Sequence, residues 1–174
     1  MILRPGQALA QGFKRSFDFQ GRSRRSAYWW FALFNLLGGV AFEIFDEYVT
    51  IPGLESWAVF YILFSALILV PDCALGMRRL HDTGRKGWPY IVWIIVSYGI
   101  IFLPEPNMED LNTAADSDAI ADALRYNLVY LVLTTGVLFL LMLTMIYLLT
   151  RDSQFGQNRY GPNPKGLGNP DVFS

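Results

Sequence analysis

The chain is short of the residues from which most active centres are built. Its 174 residues include one cysteine, Cys73, and one histidine, His81. A lone cysteine excludes an intramolecular disulfide and leaves the redox compartment open. A lone histidine with scattered carboxylates is a weak basis for a metal site, so no metal and no cofactor is expected. No phosphate-binding glycine loop, G-x-G-x-x-G, H-E-x-x-H or C-x-x-C is present, and nothing here argues for catalysis. The net charge of −1 offers no bulk attraction to nucleic acid. No secretory signal of ordinary form is expected either. The first apolar run starts at Ala27, behind 26 mostly polar residues.

What the chain has is apolar surface. Hydrophobic residues make up 53% and aromatics 16%, above the share usual in soluble domains. Crossing about 30 Å of hydrocarbon takes roughly 17–25 mostly apolar residues in a helix. Four segments approach that: 27–45, 56–77 (interrupted by Pro71-Asp72), 87–104 and 126–150. The fourth carries no charge over 25 residues, which a soluble helix with one solvated face would not tolerate. The first and third are short enough that a soluble four-helix bundle is the competing reading.

Charge placement orients the spans. Arg4, Lys14, Arg15, Arg22, Arg24 and Arg25 precede the first. Arg78, Arg79, Arg85 and Lys86 lie between the second and third. Arg151, Arg159 and Lys165 follow the fourth. Thirteen of fourteen basic residues therefore fall on one side, and only Arg125 on the other. Basic loops stay cytoplasmic, so both termini are expected there. The fold expected is all-α: a polytopic membrane protein, a bundle of four transmembrane helices, N-in/C-in.

The expected parts are a cytoplasmic segment 1–26, a transmembrane domain 27–150 and a Gly/Pro-rich cytoplasmic tail 151–174. Leu9, Phe13 and Phe17 recur at helical spacing and predict a short helix over 7–19, lying in the interface or packed on the bundle. Another helix start is expected at Asp116 or Ser117, running into the fourth span.

Chemistry could reside in a few charged groups. Ser23 reads as an N-cap, which would put Arg24 and Arg25 in a first turn where cations oppose the macrodipole. Membrane orientation or a bound anion would account for them. Arg78 and Arg79 follow the apolar part of the second span and suit a helix C-terminus. Asp72 is the one carboxylate well inside a span, where burial is costly. It shares a helix face with Gly76 and Arg79, and an arginine is its expected partner. A functional cavity and a structural clamp both fit it. His81-Asp82 could be an acid–base pair, although neighbouring residues seldom face each other and Asp82-Thr83-Gly84 also reads as an Asx-type turn.

Three stretches carry a resemblance: GRSRRSAYW at 21–29, RRLHDTGRKGW at 78–88 and GQNRYGPNP at 156–164. The chain resembles the bacterial inner-membrane family called domain of unknown function 805 (YhaH-like proteins). Gly21, Arg22, Arg25, Tyr28 and Trp29 fit the first motif. Arg78, Arg79, Leu80, His81, Asp82, Gly84, Gly87 and Trp88 fit the second; Asn158, Tyr160, Gly161 and Pro164 fit the third. The resemblance implies a small polytopic protein of the inner (plasma) membrane and supplies no activity.

On the charge-derived topology all three stretches face the cytoplasm. The expected site is a cluster of Arg22, Arg25, Arg78, Arg79, His81, Asp82, Asn158 and Tyr160, with Asp72 beneath. Such a cluster would hold an anionic lipid headgroup, a phosphate-bearing ligand or a docking partner. The competing functions are an oligomeric transporter or channel using Asp72, a membrane enzyme using His81, and a ligand-free clamp of helix ends. Expected partners are the bilayer, anionic lipids and further copies of the chain, with no nucleic acid.

Overall fold

In the computed structural model, residues 3–48, 58–99 and 117–168 are described. Among them the chain is helical apart from turns and one isolated bridge. Five helices follow in order: α1 (Pro5–Lys14), α2 (Arg25–Tyr48), α3 (Ala58–Asp82), α4 (Trp88–Gly99) and α5 (Ser117–Thr150). Three of them, α2, α3 and α5, are long and apolar enough to cross a membrane. At 1.5 Å per residue, the 24 residues of α2 span about 36 Å. The expected span at 87–104 is helical over Trp88–Gly99, and residues 100–104 lie outside the described residues.

The chain forms two units. One comprises Met1–Ile91 with Leu149–Ser174, the other Val92–Leu148. The second unit is dominated by α5, whose large apolar side chains, such as Leu128, Leu131 and Leu140, are mostly exposed. Exposed leucines along its charge-free stretch, residues 126–150, are what a lipid-facing surface requires.

In the first unit α1, α2 and α3 pack on one another. Pro5 starts α1, where its missing N–H costs nothing, and Gln7 accepts the Arg4 N–H. Small residues set the packing distance. Gly12 lies under the Phe31 ring and Gly38 under Phe64; a Cβ at either would come within 2.7 Å or 2.3 Å of ring carbon. Rings then run continuously from Phe13 to Phe31 (5.5 Å), Phe34 (6.4 Å), Phe64 (6.0 Å) and Phe42 (5.4 Å). Ala8 and Gly12 are the buried residues of α1, and of the Leu9–Phe13–Phe17 stripe Phe13 joins the ring series through Phe31. Phe17 lies beyond the helix end and is 83% exposed. Small residues won because they let α1 approach α2 closely.

Two helix ends differ from expectation. Helix α2 starts at Arg25, with the Arg24 carbonyl accepting the Ala27 N–H, so Ser23 is not the cap. Its N–H is instead donated to the Arg78 carbonyl, 3.1 Å away. Helix α3 does not stop with its apolar run but continues through Arg78, Arg79 and His81 to Asp82. Gly84, at φ 78°, ends it. The Gly84 N–H goes to the His81 carbonyl and the Arg85 N–H to the Leu80 carbonyl, a Schellman motif. The predicted Asx turn at Asp82 is thereby replaced, and the carboxylate is released to face inward.

Candidate functional site

The extra turn of α3 carries the charged motif into the protein. Asp82 is completely buried, and each of its oxygens meets a guanidinium. Arg22 Nε donates to Oδ1 at 2.9 Å, and Arg79 Nη1 to Oδ2 at 2.6 Å. The Ser153 hydroxyl also donates to Oδ2. Arg79 spends its remaining described bonds on the carbonyls of Leu149 (2.9 Å) and Arg151. Arg22 donates further to the carbonyls of Gly156 (2.7 Å), Gly161 (3.3 Å), Asp82 (3.3 Å) and Gln154 (2.6 Å). That makes five bonds, the full capacity of a guanidinium. A buried carboxylate shared between two arginines, each wired to backbone carbonyls, ties the approach to α2, the end of α3 and the tail after α5 into one knot.

The tail closes over this knot. The Gln154 N–H donates to the Asp82 carbonyl at 2.8 Å. Asn158 Nδ2 donates to the His81 carbonyl at 3.0 Å and its Oδ1 accepts the Tyr160 N–H. The His81 and Tyr160 rings stack at 3.8 Å, 5° from parallel, and the Arg159 guanidinium lies 4.7 Å from the tyrosine ring. His81 Nδ1 is 3.2 Å from the Gly21 carbonyl. His81 and Asp82 thus point to different partners, so the acid–base pair contemplated from their adjacency is not formed. Asn163, buried, bonds the Gln154 carbonyl at 3.0 Å and the Lys165 N–H at 2.8 Å. Gln154, Ser153 and Asn163 were not singled out by the sequence; only the turn-rich composition around them hinted at a fitted tail.

Asp72 does not meet an arginine. Its Oδ2 accepts from the Tyr90 hydroxyl at 2.8 Å, and that hydroxyl lies 3.1 Å from the Tyr28 hydroxyl. The Tyr90 ring occupies the space that a side chain at Gly76 would need, 2.2 Å from a Cβ there. That ring lies on the face through which Arg79 was expected to reach back. Arg25 is also set apart. It is half-buried at the periphery, on Asp152 at 2.7 Å and the Thr150 carbonyl at 3.1 Å.

Arg78 is the exception among the buried arginines. It is 1% exposed, and its Nε is spent locally on the Ala74 carbonyl at 3.2 Å. Its closest carboxylate oxygen, from Asp18, is 3.9 Å from Nη1. Its Nη2 is buried with no hydrogen-bond partner. Beside it lies a cavity of about 240 Å3, whose lining includes Arg15, Arg22, Arg24, Arg78, Gln11 and Ser23. That is room for roughly eight waters at about 30 Å3 each. Among the described residues, five guanidiniums (Arg15, Arg22, Arg24, Arg78, Arg79) line knot and cavity together with the carboxylates of Asp18 and Asp82. At the rim, partial burial works against ionisation of Asp18. Hydrogen bonds from Arg15 and the Gln20 N–H, with the charges of Arg15 and Arg78, outweigh it and hold the carboxyl below its usual range.

The family profile described as "Protein of unknown function (DUF805)" matches residues 16–162, which include every residue of the knot. The inner membrane protein YhaH of Escherichia coli K12 is 30% identical over 90 residues, covering 48% of this chain and 74% of that protein. The inner membrane protein YhaI of the same strain is 36% identical over 90 residues, covering 48% and 73%. No solved structure matches the chain. With three membrane-length helices and relatives in the inner membrane, this transmembrane chain belongs to the DUF805 family.

Proposed function

We propose that the protein is a four-span anion-binding protein of the inner membrane, and that it takes a phosphate-type group into the cavity beside Arg78. The observation that carries this reading is the Arg78 Nη2, buried and without a partner in a cavity lined by three further arginines. A buried cation is costly unless paired. A tetrahedral oxyanion is the ligand chemistry that guanidiniums recognise best, through several N–H donors at once.

Topology supports a position at the cytoplasmic headgroup level. The last turn of α3 is bonded to the segment that follows α5, through Arg79 to the Arg151 carbonyl and through Asp82 to Ser153 and the Gln154 N–H. If α5 crosses the bilayer once, the chain must also cross between Asp82 and Ser117, and α4 is the apolar segment available. That gives four spans. The basic residues gathered at this end then make it cytoplasmic, with both termini on the same side.

The knot around Asp82 takes the structural role in this reading. Arg22, with all five donors engaged, lines the cavity, Arg79 is held within the knot, and Arg78 is left to the ligand. Isothermal titration of the detergent-solubilised protein with inorganic phosphate tests the proposal. Saturable binding that is lost in Arg78→Gln is expected. Absence of binding in the wild type, or binding unchanged by that substitution, would overturn it.

A further inference from the structure

The source of the phosphate can be inferred from what surrounds the cavity, on the footing that the cavity binds an oxyanion at all. Its walls are the first residues before α2 (Ser23, Arg24), the last turns of α3 (Leu75, Arg78) and the side of α1 (Gln11). Helices of 24 and 25 residues exceed the hydrocarbon thickness by only a few residues, so their end turns sit at headgroup depth. That is the depth of a glycerophospholipid phosphate. The short connection from α1 to α2 runs past the same place, and it carries Phe17-Asp18-Phe19. Both phenylalanines are exposed, Phe17 by 83%, although this segment belongs to no membrane span. Large exposed aromatic rings outside a span, next to a cationic pocket, are the composition of an interfacial lipid contact.

Between the two rings Asp18 reaches back. Its Oδ2 takes two bonds from Arg15, at 2.9 Å and 2.5 Å, and lies 3.9 Å from Arg78. Arg78 is too far from it for a hydrogen bond, and the arginine that Asp18 does hold lines the cavity. Asp18 is therefore a half-exposed anion standing at the edge of a cationic pocket whose innermost donor it does not satisfy.

We infer that the occupant of the cavity is the phosphate of an anionic membrane lipid, seated by Phe17 and Phe19, and that Asp18 is the intramolecular counter-anion it displaces from Arg15. The lipid's acyl chains then lie against the apolar helices while the phosphate meets Arg78 and Arg15. Asp18 moves towards water, where its charge is readily solvated. An inorganic phosphate would gain the same polar contacts but nothing from the rings.

Native mass spectrometry of the full-length protein in mild detergent, with phosphatidylglycerol and phosphatidylcholine added in turn, reads the lipid. Titration with inorganic phosphate reads the polar site alone. Preferential retention of phosphatidylglycerol is expected, with loss of both ligands in Arg78→Gln. Phe17→Ser with Phe19→Ser should weaken lipid retention by about tenfold or more and leave inorganic phosphate unchanged. Asp18→Asn, a near-isosteric change on an exposed loop, should tighten both ligands. If phosphate binds through Arg78 but phosphatidylglycerol is retained no better than phosphatidylcholine, or the double serine variant retains lipid as wild type does, the inference fails while the anion site stands. If Asp18→Asn weakens binding, Asp18 positions Arg15 instead of competing for it, and its assigned role fails. Should neither ligand bind, the anion site falls as well.

Discussion

Arg78 and Arg79 are adjacent in sequence, both buried at the end of α3, and opposite in fate. Arg79 has a carboxylate at 2.6 Å, and every one of its nitrogens donates to an acceptor. Arg78 has a carboxylate no closer than 3.9 Å and one nitrogen with nothing to donate to. One residue of separation turns the side chains about 100° around the helix, one into the knot and the other into the cavity. The same division runs between two carboxylates of α3. Asp82 is held by two guanidiniums, Asp72 by a phenol. Burial alone therefore says little about a charged group's task. The identity of its partners separates structure from binding.

The largest test of that division is Asp82→Asn. It leaves Arg22 and Arg79 buried without a counter-charge, a change worth about 3–5 kcal/mol. Thermal unfolding in detergent should show a deep loss, whereas Arg78→Gln removes an unbalanced buried cation and should leave the melting temperature level or raised. Equal losses in the two variants would dissolve the distinction between knot and cavity. Next in size is Gly76→Ala. Its Cβ would meet the Tyr90 ring, and overpacking of this kind costs about 1–3 kcal/mol. A smaller effect is expected from Asp72→Asn. The amide oxygen can still accept from Tyr90 and no cation loses its partner, so a change below about 1 kcal/mol is expected by the same unfolding measurement. If Asp72→Asn proves as damaging as Asp82→Asn, a charged partner of Asp72 has to be sought.

Much of this was legible in the residues. The apolar runs placed α2, α3 and α5 because a bilayer sets a length that composition must meet. Residues from all three charged stretches meet: Arg22, Arg79, His81, Asp82, Asn158 and Tyr160 lie in one network. Partner assignment failed where it depended on geometry across helices. Charge alone suggests an arginine for Asp72, yet Tyr90 on the next helix arrives over Gly76. Asp-Thr-Gly favours a local turn at Asp82, yet Gly84 ends the helix by itself and leaves the side chain for longer-range contacts. Which of two neighbouring arginines would be left unpaired is a question of helix phase at a boundary, and helix boundaries are where sequence patterns are weakest.

The smallest effect distinguishes an exposed ion pair from the buried one. Asp18 and Arg15 are each more than 40% exposed, so their pairing is worth no more than about 1 kcal/mol and is screened by salt. Because the Asp18 carboxyl is held below its ordinary value of 3.8, the contribution has a definite sign. The folded state favours the ionised form. The stabilisation is fully present above the ordinary value and is lost as pH falls through the depressed one. The gap in melting temperature between the wild type and Asp18→Asn should therefore be small at neutral pH, and should close both in acid below 3.8 and in high salt. The gap between the wild type and Asp82→Asn should survive the same salt, since no ions reach a carboxylate with no exposed surface. A salt-insensitive gap for Asp18→Asn would mean that the carboxylate at the cavity rim is held as firmly as the one in the knot, and could not be displaced by a ligand.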